Sequence, residues 1–404
     1  MFVAPGCQTV GARLKPVPPS FPGNVIGQLT VCDLCSQLVE IHVEIFYFDF
    51  RITKLGRHIL KAIRIHEHGG VGKLRYEQAP DPKITSPKDV IIKLQAAALN
   101  HIDIWVRMGA TGMEIPMPHI LGADGAGIVV EVGSDVKTVK TGDKVCLYSF
   151  SGCGQCEFCL SDRDFMCIRV RALGERLDGT YAEYVKVVPE NCFPIPSYMT
   201  FDEAAAFPLV FLTVWRMLVT NARLQPGESI LIIGIGGGVA SAALQVAKRI
   251  GARAGVTSGS DQKIERAKLL GADYGINHRR KNFADEVKIM TDNRGADVVL
   301  DSVAGELWEK SLASLAHGGR LVTCGATAGG EPNDDLDVLI SKEVKIYGST
   351  LGSREDFHQL LNFLNTAQIH PVIDRKFPLR EAAAAQQHME EARQFGKIVL
   401  QTSE

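Results

Sequence analysis

The sequence predicts an α/β protein in two parts, a mostly β domain followed by a doubly wound, six-stranded parallel sheet, and three observations predict it. At 404 residues the chain is longer than one hydrophobic core usually fills, and 46% apolar residues suffice for two. From about 61 to 190 the apolar segments are short, rich in Val and Ile and separated by Gly and Pro, as in "DVIIKLQAAALN", "GAGIVVEVG" and "GTYAEYVKVV". Beyond residue 200, six apolar strand candidates alternate with segments of helical length, which requires a parallel sheet covered on both faces.

Residues 1–59 precede this regular texture and read as an extension, Pro-rich at first and then irregularly apolar. Leu60 stands where an initiator methionine would be expected, as it would if translation began there from a non-AUG codon and the extension were not native. Its Cys32 and Cys35 form a lone CxxC without a strand-helix context, a pattern that is incidental more often than redox-active. The start lacks the apolar core of a secretory signal, and no run reaches the eighteen or so apolar residues of a membrane span. Lys plus Arg number 44 against 46 Asp plus Glu, so no excess positive field draws nucleic acid or anionic lipid. Neither nucleic acid nor membrane is expected as a partner. Four clustered cysteines among ten suit metal binding in a reducing cytoplasm better than a disulfide framework.

The mostly β part runs over 60–205 and contains the loop 151–167, "SGCGQCEFCLSDRDFMC". Its Cys153, Cys156, Cys159 and Cys167 are spaced C-x2-C-x2-C-x7-C. Four thiolates complete the tetrahedral shell of Zn²⁺ and leave no open position, so one structural zinc per chain is expected. The rival, an iron-sulfur cluster, ordinarily has a shorter last gap and a proline after the final cysteine, where this chain has Ile168. Thr200 and Glu203 then form a capping box at the head of "FDEAAAF".

Over 206–352 the strand candidates are "SILIIG", "RAGVTS", "DYGIN", "ADVVLDS", "GRLVTCG" and "EVKIYGS". The first leads into Gly234, Gly236, Gly237, Gly238, Val239 and Ala240 at the start of a helix. Glycines there let backbone approach a pyrophosphate, and the helix presents free N–H groups to its charge, so a dinucleotide is the expected cofactor. The second strand ends at Ser258, where an acidic residue would normally accept from the ribose of NAD. With Lys263, His278 and Arg279 following nearby, NADP(H) is favoured.

Taken with "GADGAGIVVEVG", "GTYAEYV", "FPLVFLTVWRML" and the closing "GKIVL", the cysteine loop and glycine turn make residues 61–404 resemble the medium-chain dehydrogenase/reductase superfamily, the zinc alcohol dehydrogenase and quinone reductase group. The resemblance implies a GroES-like catalytic domain to which 353–404 return, a Rossmann domain, and an active site in the cleft between them. It puts Cys324, Gly325, Ser349 and Leu351 near the nicotinamide and Lys397 on the phosphates. The sixth strand would pair across a two-fold axis, giving a homodimer or homotetramer.

Alcohol dehydrogenases of this group hold a catalytic zinc through three side chains, and residue by residue this chain has Asn100, Ala123 and Leu209 in their places. Without a Lewis acid to stabilise an alkoxide, the same geometry suits acceptors that delocalise charge: quinones, α,β-unsaturated carbonyls and related small-molecule carbonyls. The expected catalytic residues are Asn100, orienting a substrate carbonyl, His101, donating a proton, and neighbouring Asp103. Two alternatives stand beside this reading. One is a zinc alcohol dehydrogenase whose metal has moved to ligands among His101, Asp103, His119 and Asp124; the other is a non-catalytic NADP(H)-sensing protein.

Overall fold

A computed structural model describes residues 59–330 and 336–402; the extension, with Cys32 and Cys35, lies outside the described residues. The first half is mostly strand: β1 (Leu60–Ile65), β2 (Arg75–Ala79), β3 (Val90–Ala98), β4 (His119–Ile120), β5 (Asp124–Val132), β6 (Lys144–Leu147), β7 (Phe150–Ser151), β8 (Arg171–Ala172), β9 (Tyr184–Val187) and β10 (Cys192–Pro194). Around them the helix His101–Met108 begins directly after β3 and is stopped by Gly109 in the left-handed region.

The second half holds β11 (Ser229–Ile232), β12 (Arg253–Ser258), β13 (Tyr274–Asn277), β14 (Ala296–Asp301), β15 (Leu315–Thr323) and β16 (Lys345–Gly348). They form one sheet in the order β13-β12-β11-β14-β15-β16, with every neighbouring pair parallel. All four residues of β11 and all six of β14 are buried, which is why these strands read as continuous apolar runs. The strand order reverses between β11 and β14, so a crevice opens beyond their carboxyl ends, where ligands bind in open α/β sheets.

The tail contributes β17 (Ile373–Pro378) and β18 (Lys397–Gln401), and these join the first half. The larger sheet there runs β10-β6-β5-β3-β18-β17, with β9 also on β3. Registers Val399↔Ala98 and Ala98↔Asp124 set the ends of β18, β3 and β5 side by side. Those three ends face the crevice. The helix Phe201–Ala206 lies between the halves and carries the expected capping box: the Thr200 N–H donates to Glu203 Oε2 at 2.8 Å and the Glu203 N–H to Thr200 Oγ1 at 3.3 Å. Among the described residues, no helix is long and apolar enough to cross a membrane.

Candidate functional site

A cavity of about 490 Å³ fills the crevice, lined by the glycine turn on one side and by the start of helix His101–Met108 on the other. The turn follows from its residues. Gly234 and Gly236 have φ of +73° and +134°, conformations that a side chain would strain, and a Cβ on Gly236 would meet Lys263 Cδ at 2.8 Å. Gly237 then caps the helix Gly238–Ile250, whose free N–H groups face the cavity. A backbone cradle of this kind fits a pyrophosphate. Gly234, Gly236, Gly237, Gly238, Val239, Lys263, Cys324, Gly325 and Leu351 all line the same cavity, whereas Ala240 packs into the core beneath the turn. Ser349 bonds back to Thr323 through its N–H and is not part of the lining.

At the end of β12, Ser258 is buried, and its hydroxyl accepts from the Ser260 N–H. The exposed Arg279 lies with its guanidinium across Gly259, Nε 2.7 Å from where a Cβ would stand. Beneath it His278 Nδ1 is buried without a hydrogen-bond partner. Burial, with Arg279 beside it, holds the His278 imidazole below its usual pKa and so neutral. Lys263 sits instead at the glycine turn, its Nζ donating to Ala392 O at 2.7 Å.

Lys397 departs from the expectation that it reaches the phosphates. Its stem passes Gly238, but Nζ turns into the protein and donates to Leu99 O at 2.7 Å, Asn100 Oδ1 at 2.7 Å and Asp124 Oδ2 at 3.1 Å. All three ammonium protons are thereby used. Asp124 in turn accepts from Asn100 Nδ2 at 2.9 Å and, through Oδ1, from the Leu209 N–H at 2.9 Å. Lys397 and Asp124 are 3% and 1% exposed, so the pair is desolvated and its charges cancel locally. Asn100, expected to orient a substrate carbonyl, spends its amide on this knot. Of the three positions compared above with zinc ligands, Asn100 and the Leu209 N–H thus both bond to an ion pair built from the chain itself, and Ala123 is buried next to Asp124 in sequence.

His101 and Asp103, two residues apart on the helix and so on different faces, differ sharply. Asp103 is fully buried away from the cavity; its Oδ2 accepts from the Asn100 N–H and from Tyr181 Oη at 2.8 and 2.9 Å. It fixes the helix start and cannot reach a substrate. Burial raises its pKa to about 7. His101 lines the cavity with its ring 6.2 Å from that of Trp105, and no hydrogen bond engages it among the described residues. Burial and then the nearby Lys397 charge lower its pKa to about 4, so it presents a neutral imidazole at pH 7. Burial, and then the Asp301 charge, push the Cys324 thiol up to about 12, which disfavours the thiolate that a nucleophile needs.

Trp105, Phe150 and Glu175 also line the cavity and carry no motif that singles them out. Lys397 and Asp124 did leave a signal, as lone opposite charges in the otherwise apolar "GKIVL" and "LGADGAG".

Away from the cleft, Cys153, Cys156, Cys159 and Cys167 bring their sulfurs within 4.8 Å of one another. The sulfur–sulfur distances of 3.6 Å for Cys156–Cys159 and 4.0 Å for Cys153–Cys159 bracket the roughly 3.8 Å edge of a tetrahedron with Zn–S bonds near 2.3 Å. The donor set therefore fits zinc. Gln155 N–H and, more weakly, Arg169 hydrogen-bond Cys153 and help hold its thiol down to about 6. Arg216 stacks on Phe165 at 4.1 Å and Arg354 pairs with Asp164 at 3.2 Å, which anchors the loop to the rest of the fold. No second group of three or more His, Cys, Asp or Glu side chains brings ligand atoms together among the described residues. His101, Asp103, His119 and Asp124 do not converge.

Two family models match: "Alcohol dehydrogenase GroES-like domain" over residues 86–197 and "Zinc-binding dehydrogenase" over 238–366. An alcohol dehydrogenase of Geobacillus stearothermophilus is 33% identical over 339 residues, 82% of this chain and 96% of the relative. A quinone oxidoreductase of Mus musculus is 29% identical over 356 residues, 85% of this chain and 98% of the relative. Among solved structures, a crystal structure titled an NAD-dependent alcohol dehydrogenase is 40% identical with a TM-score of 0.82, covering 85% of this chain and all of its own.

Proposed function

Because the chain belongs to the medium-chain dehydrogenase/reductase superfamily and is an oxidoreductase of that type, we propose that it reduces a quinone or an α,β-unsaturated carbonyl with NADPH, without a catalytic metal and with one structural zinc in the cysteine loop. The Lys397–Asp124–Asn100 knot is the observation that carries this reading. An ammonium already satisfies the donors at the point where a catalytic zinc would need them, and its charge opposes a second cation there. The chemistry that the bound nicotinamide supplies is hydride transfer. Toward the acceptor, the chain offers a neutral His101, whose N–H can donate to an oxygen gaining negative charge, in a cavity whose lining includes Trp105, Phe150 and Leu351. A conjugated acceptor spreads that charge and so needs no stronger electrophile. A simple alcohol would still have to lose its hydroxyl proton, and neither His101, with its pKa lowered to about 4, nor Cys324, with its thiol pushed up to about 12, is suited to take it.

Support for NADP(H) comes from the end of β12, which is Ser258 rather than an acidic residue, with nearby Asp261 tied to Arg280 and Asn277, and from Arg279, whose guanidinium lies across Gly259 and makes no ion pair among the described residues. Support for a homodimer or homotetramer comes from the edge strand β16 with exposed Ile346 and from the preceding helix with exposed Leu336 and Ile340, apolar surface for a second copy to cover.

The reading is tested by metal content measured beside turnover. One tightly held zinc per chain, NADPH oxidation with quinones or enones, and no alcohol oxidation are expected. Two zincs per chain with alcohol turnover that disappears on removing one would overturn it in favour of a zinc alcohol dehydrogenase. Tight NADPH binding with no turnover of any acceptor would instead favour a nucleotide sensor. Weaker binding of NADPH than of NADH would overturn the cofactor choice alone.

A further inference from the structure

Charged groups in the cleft are almost all accounted for. Lys397 and Asp124 cancel in the knot, Lys263 is tied to Ala392 O at the glycine turn, and His101 is neutral. Glu175 is the exception: it lines the cavity, and no hydrogen bond or ion pair engages its carboxyl among the described residues.

Its position is fixed by backbone. The N–H groups of Glu175, Arg176 and Leu177 all point to Ala172 O, and Gly174 N–H returns to Leu177 O, closing a tight turn after β8. Gly174 has φ +75°, and a Cβ there would stand 2.6 Å from the Gly122 N, so only glycine lets the turn rest on that backbone. Gly179 N–H to Ile120 O and Thr180 N–H to Gly122 O fasten its far side to the segment that leads into Asp124. Glu175 is therefore presented to the cavity from a turn held by backbone hydrogen bonds to the segment that leads into Asp124. Burial raises its pKa above the ordinary value, with adjacent Arg176 opposing, as for a carboxyl whose partner is still to come.

We propose that Glu175 selects the substrate, accepting a hydrogen bond from a hydroxyl or ammonium group carried away from the reducible carbonyl, and turning away carboxylates. This rests on the oxidoreductase reading for the carbonyl itself. A half-buried carboxyl in a cavity that Trp105 and Phe150 also line gains more from a donor than water-exposed carboxyls do, since the low local dielectric strengthens the bond. The same walls make a second carboxylate costly.

The test uses dead-end complexes of the full chain with NADP⁺ and four saturated straight-chain ketones ending in methyl, hydroxyl, ammonium or carboxylate, with dissociation constants from calorimetry. Hydroxyl and ammonium ketones are expected to bind about tenfold tighter than the methyl ketone, and the carboxylate about tenfold weaker. Glu175→Gln should keep the hydroxyl preference and lose the ammonium preference, which separates the two donor types; Glu175→Ala should lose both. Four equal constants in the unaltered chain, no binding by any, or a preference surviving in Glu175→Ala would overturn the proposal. NADPH consumption with plain enones is read separately. Its presence with a flat ketone series sinks Glu175 alone, and its absence with the series intact sinks the acceptor reading alone.

Discussion

The molecule has two places where the fold gathers electron-rich groups, and it treats them in opposite ways. In the cysteine loop four sulfurs stand within 4.8 Å of one another with no side-chain ammonium among them, a cluster that asks for a cation from outside. At the ends of β3, β5 and β18, Leu99 O, Asn100 Oδ1 and Asp124 Oδ2 also converge, but Lys397 brings the cation with the chain. A thiolate set can be completed by an exchangeable ion and makes a scaffold; an ammonium with all its protons engaged is permanent and leaves nothing to polarise a substrate. The difference teaches that metal dependence can be judged from what already balances the charge of a donor set, beyond which ligands are missing.

Breaking the first site should have the largest effect. Cys156→Ser removes one of four ligands, and structural zinc sites contribute on the order of 10 kcal/mol of apparent binding energy to the structure they hold. The zinc content is expected to fall from one per chain to near zero, read by elemental analysis. Loosening should spread from the loop through the Arg216–Phe165 and Arg354–Asp164 contacts and lower the melting temperature, with new protease cleavage inside 151–167. A variant that keeps its melting temperature without zinc would erase the contrast between the two sites.

Breaking the second should cost less. Lys397→Met leaves the Asp124 carboxylate buried beside Asn100 with no counter-charge, and removal of one partner of a buried pair typically costs about 3–5 kcal/mol. The double variant Lys397→Met with Asp124→Asn removes both charges and should recover much of that loss in chemical denaturation. A double variant no more stable than the single one would mean that the knot's value lies in hydrogen bonds rather than in paired charge.

How much of this was legible in the sequence follows from how far each feature reaches along the chain. The glycine turn, the Thr200–Glu203 capping box, the six parallel strands and the cysteine spacing are local patterns, and the structure has each where its residues predicted it. The knot is not local. It joins residues 99, 100, 124 and 397 through two strand registers, so the lone charges of "GKIVL" and "LGADGAG" gave types but no partners, and Lys397 was expected on the phosphates instead. Helix phase explains a second difference: neighbours His101 and Asp103 differ in direction, so one lines the cavity and the other caps the helix. Glu175 depends on a turn packed against Gly122, contact that no short motif encodes.

The smallest effect sharpens the comparison around the knot, because His101 and Asp103 flank it with opposite proton balances. Asp103 has a folded pKa near 7 against an ordinary 3.8, so between those values the folded state holds a proton that the unfolded state has lost, and stability falls as pH rises. His101 has a folded pKa near 4 against 6.5, so over most of the same window the folded state lacks a proton that the unfolded state holds, and stability rises with pH. The two slopes, each at most about 1.4 kcal/mol per pH unit, largely cancel between pH 4 and 6.5. Each single substitution should expose the other. Relative to the unaltered chain, Asp103→Asn should gain stability as pH rises from 4 to 6.5, and His101→Gln should lose it as pH rises toward 7, both read as denaturant midpoints at half-unit pH steps. Parallel profiles for the two variants would mean that at least one group is not held in its buried protonation state beside Lys397.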